Sequence, residues 1–296
     1  MATRTIPALL LVLAACAGAV ERRPDEPGAD GPLIVRVMTF NLRWDGFDDG
    51  PNAWRHRRDL VCRVLREFRP DSVGTQEPMK RQIGDIEAAI PTLASYRLDN
   101  DPAYVRTQQI LYRSDRFDRI GAGGFLIADG TNEDGTVRYC TWVRLEERAT
   151  GRRYYHYNVH LDHRDAMSRR MSVVRLMRHV ANRESDDPFV ITGDFNTAEE
   201  SPTMAFLRGS GTLPGERGVA YANPIPLEDT YRVLYPDAPD AGTAGGFGGN
   251  RRGRKIDHVL VASGAATIHE ASILHTSEDG RYPSDHFPVT AVVAWK

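Results

Sequence analysis

Over residues 33–40, Ile34, Val35, Val37 and Phe40 interleave with polar positions, which is the period of a strand. Residues 54–68 place Leu60, Val61, Val64, Leu65 and Phe68 on one face, which predicts an amphipathic helix that ends before Pro70. A short strand is expected over 71–76. A second helix follows over 79–90, built on Ile83, Ile86 and Ile90. Strand patterns recur at 109–112, 138–145 and 154–161, and residues 166–181 carry Met171, Val174, Leu176 and Val180 at roughly helical spacing. A buried strand over 189–192 runs into Gly193, and later strands are expected at 256–262, 271–274 and 287–294. Several neighbouring strands read as hairpins while helices interrupt others. The pattern therefore predicts mixed sheets in one domain, with no internal linker or short-period repeat.

Of the 296 residues, 41% are hydrophobic and 26% charged, an ordinary globular balance that excludes a largely disordered chain. A formal charge of -2 gives no global positive excess with which to hold a long polyanion, although a local basic groove remains open.

The first residues read as an export signal. Arg4 precedes an apolar stretch from Ile6 to Ala15, too short for a membrane span of about 20 residues. Leu13-Ala14-Ala15-Cys16 resembles a bacterial lipobox, in which the cysteine becomes the lipid-bearing first residue. Proteins of that type carry several acyl chains, so the resemblance implies firm attachment to a membrane. We expect a signal over 1–15, a flexible tether over 16–32 rich in Pro, Gly and acids, and a folded domain over 33–296. Cys62 and Cys140 fall in helical and strand patterns and are expected as buried thiols; no Cys-x-x-Cys or zinc spacing is present.

Polar residues gather at predicted strand ends. Thr39-Phe40-Asn41-Leu42-Arg43, Gly74-Thr75-Gln76-Glu77, Asn158-Val159-His160-Leu161-Asp162-His163 and Thr192-Gly193-Asp194-Phe195-Asn196 each close a strand. Lys255-Ile256-Asp257-His258 and Pro283-Ser284-Asp285-His286-Phe287-Pro288 each lead into one. Strand ends that converge make a polar cleft on a rigid base. Acid and amide oxygens suit Mg²⁺, Mn²⁺ or Ca²⁺ rather than zinc, and imidazoles beside carboxylates suit proton transfer near neutral pH. Hydrolysis at phosphorus uses that combination.

The set resembles the endonuclease/exonuclease/phosphatase superfamily from about Val35 to Trp295, most specifically in Gly-Asp-Phe-Asn and Ser-Asp-His-Phe-Pro-Val. The resemblance implies a four-layer α/β sandwich, two mixed β-sheets flanked by helices. It also implies a metal-dependent phosphoesterase in which activated water attacks a phosphate ester, with Mg²⁺ as cofactor and Mn²⁺ or Ca²⁺ as alternatives. By resemblance Glu77 is the principal metal carboxylate, with Asn41 beside it and Asp285 as a further metal-side carboxylate. Asp194 orients or deprotonates the water, and Asn196 holds the phosphoryl oxygens. His286 contacts the scissile phosphate with Asp285 or Asp257 as neighbouring carboxylates, either of which can instead lie beside the metal site, and His160 matches the second imidazole of the DNase I and sphingomyelinase branches. Arg43 stands where repair nucleases carry an Asp, which puts a second metal ligand there in doubt.

The implied partner is a nucleotide, a nucleic-acid fragment, a phosphosugar or a lipid headgroup, met at the bacterial cell envelope by a lipid-anchored protein. No protein partner is expected. An alternative is a catalytically inactive binding lipoprotein on the same scaffold. Arg113 and Arg138 read either as phosphate contacts or, more commonly for sheet-edge arginines, as structural ion pairs. Asp229 is a weaker candidate for supporting the site. His56, His156, His163 and His258 are assigned to structure or surface. The loop 44–50 is expected to shape the substrate mouth. The Gly-rich loop 242–253 reads either as a cover or as a mobile surface loop.

Overall fold

The computed structural model describes residues 31–98, 108–130, 137–214 and 219–295. The expected signal, the tether through residue 30 and Cys16 lie outside the described residues. In chain order the first strands are β1 (Leu33–Asn41), β2 (Ser72–Gln76), β3 (Leu93–Tyr96), β4 (Gln109–Arg113), β5 (Phe117–Asp129), β6 (Val137–Glu147) and β7 (Arg153–His160). They are followed by β8 (Phe189–Asp194), β9 (Thr212–Pro214), β10 (Ala220–Ala222), β11 (Leu227–Asp229), β12 (Asp257–Ala262), β13 (Ala266–Ile273) and β14 (Val289–Trp295). The helices are α1 (Trp54–Phe68), α2 (Lys80–Ala89), α3 (Ala166–Ala181), α4 (Pro202–Leu207) and α5 (Thr230–Leu234).

The strands form two six-stranded mixed sheets, β13-β14-β1-β2-β4-β3 and β11-β12-β8-β7-β6-β5, with β9 and β10 as a separate pair. Side-chain alternation stacks them. Val35 and Val37 of β1 meet Val143, Tyr154, Val259 and Val293 between the sheets. Met38 and Phe40 point the other way, onto Val61 and Leu65 of α1 and Ile86 of α2. Tyr157 and Val159 of β7 and Ile191 of β8 face Val173 and Met177 of α3. The result is a helix–sheet–sheet–helix sandwich, the DNase I-like arrangement.

The inter-sheet layer changes character along its length. It is apolar at one end and becomes a column of hydrogen bonds at the other. His156 bonds Ser72 through Nδ1 at 2.8 Å and Thr192 through Nε2 at 2.7 Å. Gln76 Nε2 donates to Asn158 Oδ1 at 2.7 Å, and Asn158 Nδ2 donates to the Thr75 carbonyl at 2.9 Å. Ser72 and Gln76 belong to one sheet and His156, Asn158 and Thr192 to the other, so the column fastens the sheets together. Burial pushes the His156 imidazole down to about 3, so it stays neutral between its two hydroxyl partners.

The long strand β5 contains Gly121, Gly123 and Gly124, which erase its alternation, and it pairs with β6 through two register shifts. That composition hides it from periodicity. Cys62 and Cys140 are buried free thiols. No helix among the described residues is long and apolar enough to cross a membrane.

The column leaves no room at Gly74, where a Cβ would stand 2.0 Å from Thr192 Oγ1 and 2.5 Å from Asn158 Oδ1. Gly74→Ala is therefore expected to destabilise the fold by about 1–3 kcal/mol, toward the upper end, because both neighbours are themselves pinned. Urea denaturation measures this, and an unchanged midpoint contradicts the account.

Candidate active site

Register builds the site. His160 at the end of β7 lies beside Asp194 at the end of β8, and Asp194 lies opposite Asp257 at the start of β12. In the other sheet, Asn41 at the end of β1 lies beside Gln76, so Glu77 follows at the same edge. His286 arrives on the segment before β14. Each sheet thus contributes part of one cleft.

Contacts join the two parts. Asn41 Nδ2 donates to Glu77 Oε1 at 3.3 Å and to Asp194 Oδ2 at 3.2 Å, while its Oδ1 accepts the Arg43 backbone N–H at 3.0 Å. Glu77 Oε2 accepts the Trp44 backbone N–H at 2.9 Å. His286 Nδ1 lies 2.8 Å from Asp257 Oδ2 and 3.9 Å from Asp194 Oδ2, and His160 Nε2 lies 3.6 Å from Asp194 Oδ2. Asn196 donates its backbone N–H to Asp194 Oδ1 at 2.9 Å and its Nδ2 to the Leu161 carbonyl at 3.0 Å. Asp285 faces Arg43, with Oδ2 3.4 Å from Nη1. Arg43, Glu77 and Asn196 have left-handed backbones, with φ of 58°, 57° and 50°. Such residues cost about 1–3 kcal/mol each and persist where their surroundings hold them.

The electrostatics are uneven. Burial, and then Asp257, push the Asp194 carboxyl up to about 7. Burial works against the His286 imidazolium, but Asp257, Asp194 and Asp285 outweigh it and raise its pKa to about 10. Burial, with Arg138 and His286 nearby, pushes His160 well below the usual imidazole range. The cleft therefore presents one charged and one neutral imidazole around a carboxyl poised near neutrality, an arrangement suited to proton transfer.

The donors fit a hard divalent cation. Ligand atoms of Asp194, Asp257 and His286 lie within 4.8 Å of one another, but His286 is charged and bound to Asp257, so the carboxylate oxygens are what a cation finds there, among them Asp257 Oδ1, buried with no hydrogen-bond partner among the described residues. Glu77 adds a half-buried carboxylate whose hydrogen-bond partners are uncharged N–H groups. A second acid and histidine cluster, Glu199, Asp229 and His258, lies near the outer face of β12. Its charges are already balanced: Lys255 Nζ is 2.5 Å from Asp229 Oδ2, and Arg232 Nη2 is 2.7 Å from Glu199 Oε2. Burial opposes ionisation of Asp229, but Lys255 and His258 hold it well below the usual carboxylate range. Lys255 also donates to the Asp257 carbonyl at 3.3 Å, so Asp229 supports the site at one remove.

Arg113 is a structural ion-pair residue, 2.9 Å from Asp115 and 3.4 Å from Asp71 at the far end of its sheet. Arg138 is buried, near enough to His160 to lower its pKa. The Gly-rich loop is a brace between the two arms of the site. Thr243 Oγ1 accepts the Ile256 and Asp257 N–H groups at 3.0 Å each, and the Thr243 carbonyl accepts the Phe287 N–H at 2.8 Å.

Two positioning residues had escaped the sequence reading, Thr243 and Arg57. Arg57 is fully buried in α1. Its Nη1 donates to the carbonyls of Leu42 at 2.7 Å and Pro283 at 2.9 Å, and Nη2 donates to that of Arg43 at 3.0 Å. It thereby ties the Asn41 strand to the His286 segment, and burial lowers its pKa to about 10. Its spacing on the apolar stripe, three residues after Trp54 and four before Val61, is the signal that marks it.

A sandwich of two mixed sheets sharing a carboxylate and imidazole cleft defines the DNase I-like fold. The Endonuclease/Exonuclease/phosphatase family profile matches residues 38–286, and the chain belongs to this family, whose members are phosphoesterase hydrolases. An endonuclease/exonuclease/phosphatase of Bacteroides vulgatus is similar in structure, with 24% identity, a TM-score of 0.73 and coverage of 89% of this chain and 100% of that one. The mannosyl-6-phosphatase of Bacteroides thetaiotaomicron superposes with a TM-score of 0.70 at 23% identity, covering 88% and 99%. The human Nocturnin catalytic domain does so with 0.68 at 18% identity, covering 90% and 94%.

The raised pKa of His286 fixes a sign. Its folded value of about 10 exceeds the unfolded value, so its stabilising contribution is complete below about pH 6.5 and is lost as pH rises through about 10. In metal-free protein, imidazole NMR is expected to show His286 still protonated at about pH 8. A midpoint at or below the ordinary histidine value contradicts the Asp257 pairing.

Proposed function

We propose that this protein is an exported, divalent-metal-dependent hydrolase of a small phosphate ester, anchored at the cell envelope through Cys16. The observation that carries this reading is the meeting of Glu77 and Asn41 from one sheet with His160, Asp194 and Asp257 from the other. Glu77 would hold Mg²⁺, with Mn²⁺ or Ca²⁺ as substitutes, and Asn41 joins that carboxylate to Asp194. A bound divalent cation supplies charge neutralisation at the phosphoryl oxygens.

The remaining chemistry belongs to the chain. Asp194 receives the proton of the attacking water, a role matched to a carboxyl held near 7. Asn196 orients that carboxylate through its backbone N–H, and its amide, held by one N–H on the Leu161 carbonyl, would offer the other to the phosphoryl oxygens. His286, kept protonated by Asp257, faces the scissile phosphate as a charged donor. Neutral His160 flanks Asp194 on the opposite side.

The nearly even charge disfavours a long duplex and leaves nucleotides, nucleic-acid fragments, phosphosugars and lipid headgroups as substrates. The mannosyl-6-phosphatase of similar fold makes hexose 6-phosphates a first panel beside nucleotide mono- and diesters. Chelator-sensitive hydrolysis of at least one panel member is the expected result. Asp194→Asn is expected to lower kcat on the order of 10²–10⁴-fold with an unchanged thermal midpoint. Full activity in that variant removes Asp194 from water activation, and no metal-dependent turnover on any ester favours a binding scaffold. For location, Cys16→Ser is expected to move the protein from the membrane fraction to the soluble one, and unchanged fractionation rules out the lipid anchor.

A further inference from the structure

Among the acids at the mouth, Asp285 differs from Glu77 in the company it keeps. Glu77 accepts hydrogen bonds from the Trp44 backbone N–H and the Asn41 amide, neither of them charged. Asp285 faces a guanidinium: Arg43 Nη1 lies 3.4 Å from its Oδ2, while the neighbouring Ser284 hydroxyl donates to the Asn41 carbonyl at 2.6 Å.

That guanidinium is fixed from several directions. Arg43 Nε and Nη2 form a fork on Asp49, each at 3.0 Å, and the Phe47 ring lies 4.5 Å from the guanidinium carbon. The backbone is held as firmly. The Arg43 N–H donates to Asn41 Oδ1 at 3.0 Å, and its carbonyl accepts from Arg57 Nη2 and Gln82 Nε2, each at 3.0 Å. Its φ of 58° is a left-handed conformation that these contacts impose. A planar cation that is always protonated and already immobilised loses little freedom in serving as a permanent counter-ion. A metal ion on Asp285 would have to approach that positive charge closely.

We propose that Arg43 is a resident cation of the site. It withdraws Asp285 from the ligands open to a metal, so the site takes a single divalent ion on the Glu77 side, and Arg43, shared between Asp49 and Asp285, stands at the mouth as a fixed guanidinium in addition to the His286 imidazolium. This rests on the metal-dependent reading above, and it makes Arg43 and Asp285 a positioning pair.

Calorimetric titration of the full chain with Mn²⁺ tests the proposal, with thermal midpoints confirming that each variant is folded. The wild-type protein is expected to bind a single Mn²⁺. Glu77→Gln is expected to weaken binding by about tenfold or more, whereas Asp285→Asn leaves affinity and stoichiometry essentially unchanged. Arg43→Asp, which replaces the cation with a carboxylate beside Asp285 and Asp49, is expected to take up a second Mn²⁺. A loss of about tenfold or more in Asp285→Asn, or two ions in the wild-type protein, overturns the proposal. Should Arg43→Asp fail to fold, the isosteric Asp285→Asn decides alone. Absence of any Mn²⁺ binding by the wild-type protein overturns the metal-dependent reading itself. That outcome is distinct from failure of the Arg43 assignment, in which Mn²⁺ binds and Asp285→Asn weakens it.

Discussion

The site is divided between two sheets, so its geometry is only as good as the spacing between them. Apolar packing of Val37, Val259 and Val293 supplies cohesion but little directional preference. The column linking Ser72 and Gln76 to His156, Asn158 and Thr192 supplies direction, because each bond fixes a distance and an angle. A buried polar group left unpaired costs roughly 1–3 kcal/mol, so slippage of one sheet over the other would break several bonds at once. Gly74 is the corollary: the column is dense enough that no side chain fits at that position. Glu77 follows directly after Gln76, so the clamp and the candidate metal carboxylate share a strand end.

Charge is arranged in layers around that clamp. Asp194, Asp257 and Glu77 converge, and convergence of buried acids is unfavourable unless a cation or proton intervenes. His286 provides one cation and Arg43 another at Asp285, while burial and then Asp257 hold the Asp194 carboxyl up near 7. Behind the strand, Lys255 and Asp229 neutralise each other and brace the Asp257 backbone. Arg57 and Thr243 complete the frame by holding the approaching loops through backbone carbonyls and N–H groups.

Much of this arrangement is legible in the amino-acid sequence. The alternation of β1, the strand pattern of β7, the buried apolar run of β8 and the helical stripe of α1 set out most of the sandwich. The acids, amides and imidazoles at strand ends marked the residues that the sheets bring together. What escaped has physical causes. Glycines blank the alternation of β5. Arg57 acts across 226 residues on the Pro283 carbonyl, a partner with no side-chain identity to recognise. Thr243 lies in a segment that reads equally as a lid or a free loop, and its two hydrogen bonds to the start of β12 turn it into a brace.

The chain's own order of residues therefore determined which groups stand at strand ends, because strand periodicity is local and a terminus is marked where apolar alternation meets polar residues. Only the tertiary structure decided which of those groups neutralise one another. Asp285 and Glu77 are both acids beside a strand, yet one lies at ion-pair distance from a guanidinium and the other takes its hydrogen bonds from neutral N–H donors, with Arg43 and Arg57 acting on it only from farther off. That difference arises from how two sheets and a loop are stacked, and electrostatic energy depends on those through-space distances rather than on separation along the chain.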